Sequence, residues 1–208
     1  MRALQISIAF TLLATAAHAA DFSVAVRNAT GQPIRDAVVT LTPSSGPPAG
    51  PIKFDWPMKM AQQNIQFEPF VLIVPVGADV SFPNKDSVRH HVYSFSPTKR
   101  FELKLYGKDE SRSVHFDKAG VVALGCNIHD SMAGFIKVVD TPYAAKTDAA
   151  GNVDIHNAPA GQVILRVWQP YLKAPNNEIT RTVTVPAQGA GHETVAAEIR
   201  PPAPMSMH

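Results

Sequence analysis

Cys126, His129 and Met132 fall three residues apart in the stretch GCNIHDSM, and Cys126 is the one cysteine of the chain. A lone thiol can make no internal disulfide, so it is a buried structural group, half of an intermolecular bridge, a nucleophile or a metal ligand. Its neighbours bear on that choice. Two imidazoles and a thiolate in a plane, with a weak axial thioether, suit copper that alternates between Cu(I) and Cu(II), and the loop holds three of those four donors. The fourth must come from elsewhere in the chain. VSFPNKDSVRHHVYSF supplies it, with His90 and His91 opening a strand six residues after Asn84. Successive side chains of a strand point to opposite faces, so only one of the pair can face a metal.

The remaining candidates have plainer readings. His115, in SRSVHFDKAG, belongs on a strand surface, and His156 and His192 have no partner at metal-binding spacing. Met58 and Met60, with the tail residues Met205, Met207 and His208, offer soft donors for an auxiliary copper site, against loop packing and a disordered end. Lys85, Arg89, Lys99, Arg100 and Lys104 gather around the upstream histidines, either as a solvated face or as a docking surface for an acidic redox partner.

The elements that must position these residues are strands. Phe22, Val24 and Val26 alternate, as do Ala37, Val39 and Leu41, then Val163, Leu165 and Val167, and Val183 with Val185. Between such runs lie Gly, Pro, Asn and Asp, the pattern of an all-β sandwich or barrel. VLIVPVGADVSFPN reads as a nearly continuous apolar strand to Val76, a glycine turn, and a second strand through Phe82. SSGPPAGP (44–51) and DTPYAAKTDAAGN (140–152) are loop-rich breaks, and the segment between them holds the cysteine.

The first residues, MRALQISIAFTLLATAAHAA, combine Arg2, a short apolar stretch and an Ala-His-Ala cleavage pattern at 17–19, as in a secretory signal peptide. No later segment is apolar enough for a membrane span, so no membrane insertion is expected. These features predict an exported, periplasmic protein of about 190 residues after cleavage. Lysine and arginine number 19 against 17 acidic residues, which gives no electrostatic case for nucleic acid.

With these pieces in place, the middle segment (Phe67 to Val139) resembles the cupredoxin family: an Asn, a His six residues on, and far downstream Cys-x-x-His-x-x-Met, with amicyanin-like spacing. The resemblance implies a plastocyanin- or amicyanin-like Greek-key β-sandwich holding one type 1 copper ion. Its ligands would be His90, Cys126, His129 and Met132, with His91 the rival of His90. Three positions depart from the family pattern. His91 replaces the usual Asn and is expected to bond the backbone of the cysteine loop. Ile128 replaces the usual Pro, freeing an amide expected to donate to the sulfur. VVALGC lacks the usual aromatic before the cysteine.

The flanks resemble a carboxypeptidase regulatory-like, transthyretin-type β-sandwich. DFSVAVRNATGQPIRDAVVTLTP looks like its first hairpin, and KTDAAGNVDIHNAPAGQVILRVWQP like its continuation. The resulting division is 1–19 signal peptide, 20–43 first hairpin, 51–140 cupredoxin domain, 141–200 remainder of the flanking sandwich and 201–208 tail. The cupredoxin unit is either inserted in the flanking sandwich or follows a short N-terminal ribbon. The middle segment also resembles exported bacterial methylamine utilization proteins, which implies electron transfer between a dehydrogenase and a cytochrome. No catalytic constellation accompanies the site, so the expectation is a non-enzymatic electron carrier. Copper delivery, or a structural or carbohydrate-binding β module with an unused site, are the alternatives.

Overall fold

The computed structural model describes residues 19–201. Residues 1–18 of the signal-peptide reading and 202–208 of the tail, with Met205, Met207 and His208, lie outside that range. The described chain is all-β apart from one 3₁₀ turn, Pro175–Asn177. Among the described residues, no helix is long and apolar enough to cross a membrane.

The strands, in chain order, are β1 (Ala19–Arg27), β2 (Val38–Pro43), β3 (Ala61–Gln63), β4 (Gln66–Glu68), β5 (Val71–Pro75), β6 (Ala78–Pro83), β7 (His90–Ser94) and β8 (Phe101–Tyr106). They continue with β9 (Ser111–Phe116), β10 (Gly120–Cys126), β11 (Ala133–Val139), β12 (Ala144–Lys146), β13 (Asn152–Pro159), β14 (Gly161–Trp168), β15 (Glu178–Val185) and β16 (Ala190–Ala196). Named strands pair in two groups. A three-stranded sheet, β13-β1-β16, and a four-stranded sheet, β12-β2-β14-β15, use only β1, β2 and the strands after residue 140. A five-stranded sheet, β5-β11-β10-β7-β8, and the pairs β6-β9 and β3-β4 use only the strands between.

β1 and β2 do not form the hairpin expected from the sequence. Both hydrogen-bonding edges of β1 are occupied, one by β13 and the other by β16 in parallel, so β2 joins the facing sheet. The passage between them turns on Asn28, whose Oδ1 accepts from the amides of Thr30 (3.0 Å) and Gln32 (2.8 Å). Phe22, Val24 and Val26 then meet Val39, Leu41, Val163, Leu165 and Val167 in a single buried cluster, as the two-residue periodicity requires.

A second cluster fills the middle unit. Val80, Phe82, Val114 and Phe116 of β6 and β9 face Val92, Val122, Leu124, Ile136 and Val138 of the large sheet, and Cys126 and Met132 belong to the same cluster. All of β5 is buried. Leu72 and Val74 enter this core, while Val71 and Ile73 enter a third cluster shared with Val38, Ala144 and Trp168 of the flanking sheets. A strand covered on both faces reads as an uninterrupted apolar run, which explains VLIVP.

The junction between the two groups is also polar at its edge. Lys137 Nζ reaches Glu178 at 2.9 Å and lies 5.4 Å from the Trp168 ring centroid, and Phe135 meets that ring edge-on at 6.0 Å. Trp168 is 2 % exposed. Trp168→Ala is expected to remove about 3–5 kcal/mol of stability, because the site cannot collapse around an absent indole. The urea midpoint of the purified chain measures it, and a midpoint equal to the wild type would contradict the junction's role.

Candidate metal centre

The upstream histidine is set by a braced loop. Asn84 is fully buried: its Nδ2 donates to the carbonyls of Val88 (2.8 Å) and Tyr106 (3.2 Å), and its Oδ1 accepts from the Asp86 amide (2.9 Å). These bonds close the 84–90 loop on itself and tie it to the end of β8. Tyr106 sits beneath it, its hydroxyl against Gln62 Oε1 (2.6 Å) and the Phe82 carbonyl (2.9 Å), and burial pushes that phenol's pKa well up.

Asp86 connects the loop to a third element. Its Oδ1 accepts from the Asn64 amide at 2.6 Å and its Oδ2 from the Ile65 amide at 3.0 Å. Asn64 and Ile65 form the two-residue turn of the β3-β4 hairpin, with φ of 56° and 55°, the mirror-image turn that suits strand twist. Oδ2 also accepts from Nε2–H of His90 at 2.8 Å. Burial alone would raise the Asp86 carboxyl, but the Ile65 amide, the His90 ring and the Asn64 amide outweigh it and hold the pKa below the ordinary 3.8. An ionised carboxylate can only accept, so it keeps the proton of neutral His90 on Nε2 and leaves the Nδ1 lone pair free.

That lone pair faces sulfur. His90 Nδ1 lies 3.7 Å from Cys126 Sγ and His129 Nδ1 lies 4.0 Å from it; the two rings are 5.2 Å apart between centroids. The three donor atoms fall within 4.8 Å of one another. A trigonal centre with metal–nitrogen and metal–sulfur bonds near 2.0 and 2.3 Å needs nitrogen–sulfur separations of roughly 3.6–3.8 Å, so the gap fits one metal ion. Cys126 is 3 % exposed, Met132 1 % and His90 0 %. His129 is the half-buried member. Met132 closes a turn with its amide on the His129 carbonyl at 2.9 Å, which carries it back into the core.

The structure distinguishes the two adjacent histidines. His90 points inward, while His91 lies on the outer face, its Nε2 2.8 Å from Glu102 Oε1 and its buried Nδ1 without a partner. The expectation that the His91 ring bonds the cysteine loop is corrected. The loop contact is backbone to backbone, Asn127 N–H to the His91 carbonyl at 3.2 Å, because strand alternation turns the ring away. The Ile128 amide makes no hydrogen bond to Sγ, whose polar neighbours are the two Nδ1 atoms. Ile128 itself is 52 % exposed.

His115 is exposed on β9 beside Asp79, His156 pairs with Asp21, and His192 contacts Thr194. Met60 is fully buried in the core, with Met58 packed against the same cluster, so hydrophobic packing accounts for both. Sequence reading overlooked Asp86, although an Asp four residues before a candidate ligand, in the turn-forming stretch NKDS, is a local signal for a supporting carboxylate.

No family model matches this chain, and no curated protein matches it. Solved structures resemble part of it. A purple cupredoxin from Nitrosopumilus maritimus shares 24% identity over 39% of this chain and 98% of its own, with a TM-score of 0.36. A reduced-state amicyanin variant shares 26% identity over 48% of this chain and 99% of its own, at 0.37. A copper-containing nitrite reductase from Thermus scotoductus shares 28% identity over 46% of this chain but 26% of its own length, at 0.39.

Asp86 supplies a test by pH. Its lowered pKa means that ionised Asp86 stabilises the fold above the unfolded carboxyl pKa, and that this is lost as pH falls through the folded value. In metal-free protein, Asp86→Asn is expected to be less stable than wild type at neutral pH. The gap should narrow below the ordinary 3.8. Unfolding curves from pH 7 to pH 3 check this, and a pH-independent gap would contradict it.

Proposed function

We propose that this chain is a periplasmic type 1 copper protein that carries single electrons between redox proteins and catalyses no reaction of its own. The observation that carries the reading is the convergence of His90 Nδ1, Cys126 Sγ and His129 Nδ1 within 4.8 Å, in a core that also buries Met132. Copper bound there would supply a one-electron Cu(I)/Cu(II) couple.

The chain's own residues favour that use in three ways. Asp86 and the Asn84 brace fix His90 before any ligand arrives, so little reorganisation accompanies a change of charge. Burial of Cys126, His90 and Met132 excludes water. His90, Cys126 and His129 would hold the copper with Met132 buried beside them, a donor set that would leave no position for a substrate. His129 alone lies partly open to solvent, at the edge of the site.

The copper unit is formed by β3 to β11, inserted between the second and third strands of a regulatory-like sandwich that serves as its scaffold. The strand pairings and the covered face of β5 and β11 support this arrangement. The resemblance to methylamine utilization proteins supports an amine-oxidising dehydrogenase as donor and a cytochrome as acceptor. Copper delivery has less support, because Met60 is enclosed in the core rather than offered to an acceptor.

Full-length chain loaded with Cu(II) is expected to show an intense thiolate-to-copper band and narrow copper hyperfine splitting, both lost in Cys126→Ser. A pale, wide-split spectrum unchanged by the substitution would end the reading. Asp86→Ala should weaken copper binding about 10- to 100-fold by freeing the His90 ring. Competition with a chromophoric chelator measures this, and unchanged affinity would show that Asp86 does not support the ligand.

A further inference from the structure

The outer face of the five-stranded sheet is covered on one half only. On β5 and β11, Val71, Ile73, Phe135 and Val139 pack against the flanking sheets. On β10 and β7 the same face carries Ala123, Gly125 and Tyr93, and β7 leads directly to Phe95, which is 74 % exposed. A recess of about 400 Å³ lies there, lined by Tyr93, Phe95, Ser96, Ala123, Leu124 and Gly125. Exposed large apolar side chains grouped beside a recess mark contact surfaces.

This face touches the metal centre through one residue. Gly125 pairs with Tyr93 across the β10-β7 ladder, and a Cβ on Gly125 would stand 2.6 Å from Tyr93 Cζ. The phenol therefore lies directly on the peptide that precedes Cys126, where a side chain at position 125 would push it aside. Phe95 lies next to it, its ring centroid 5.0 Å from that of Tyr93 and tilted by 41°.

We infer that Phe95 and Tyr93 form a docking and electron-transfer face, separate from the His129 edge, for a one-electron redox protein with an acidic rim around an apolar contact. The inference rests on the copper reading above. The charge around the face favours such a partner. Glu102 is engaged by His91 and Lys99 by Asp117, while Arg100 and Lys104 are exposed with no ion pair among the described residues. The ladder pairs Ser94 with Phe101, which brings Arg100 beside Phe95. In the transfer, copper(I) held by His90, Cys126 and His129 would give one electron to the oxidised metal of the partner and end as copper(II). No bond forms or breaks, no proton moves, and both rings keep their electrons, acting only as packed matter that couples better than solvent.

The test uses the full chain and an acidic ferric c-type cytochrome. Binding is first titrated by NMR with metal-free protein, a readout that does not require copper. Shifts should centre on Tyr93, Phe95 and Ala123, and Phe95→Ser should weaken binding about tenfold, as loss of an aromatic anchor does. Stopped-flow mixing of the Cu(I) form with the cytochrome then reads the transfer step. At saturating cytochrome, Tyr93→Leu should transfer more slowly within the complex, with potential and thiolate-to-copper band unchanged, while Ile128→Ser, at the other edge, changes neither binding nor transfer. Shifts confined to the His129 edge, slowing by Ile128→Ser but not Phe95→Ser, or no complex at all would overturn the inference. Absence of the thiolate-to-copper band would instead overturn the copper reading, and the binding titration would still decide the docking face.

Discussion

Cys126 pairs with Val92 at the end of the short ladder that joins β10 to β7, and the register of that rung governs the rest of the site. It turns Sγ inward beside His90 and turns Gly125 outward beneath Tyr93. Because strand side chains alternate with a period of two, a slip of one residue would exchange those faces. The thiol would then meet solvent, and Leu124 and Val122 of the same strand would leave the core they fill. The apolar packing of β10 therefore holds the sulfur in place as firmly as any polar contact does.

The polar braces act where that ladder ends. His90 belongs to β7 but precedes its rungs with β10, so the sheet alone leaves its ring free to turn. Asp86 removes that freedom by joining the ring to the tip of the β3-β4 hairpin, and Asn84 holds the loop that carries Asp86. Three elements distant in sequence thus meet at one imidazole. Each buried polar group in the chain of contacts has a partner, which makes such a network stiff rather than costly.

The flanking sandwich has a mechanical part in this arrangement. By burying Val71, Ile73, Phe135 and Val139 it stiffens β5 and β11, and β11 is β10's other neighbour in the large sheet. β10, which ends in Cys126, is therefore held on one side by β11, itself backed by the fully buried β5, and on the other by β7. Covering one half of the sheet also confines the open outer face to the part that lies over Gly125.

Much of this was legible in residue order. The alternation of Phe22, Val24 and Val26, the uninterrupted VLIVP and the turn residues between runs state the strands and their buried faces, since burial of apolar groups acts locally on a two-residue period. The spacing of Cys126, His129 and Met132 likewise states a donor set, because a single short loop joins them. What residue order leaves open is partnership across distance. That β1 is flanked by β13 and β16 rather than by β2, that His90 rather than His91 meets the sulfur, and that Asp86 and Tyr93 serve residues on other strands all depend on pairings between segments far apart in the chain. Those pairings are settled by competition among every strand edge for hydrogen bonds and every apolar face for cover, which is a property of the folded whole.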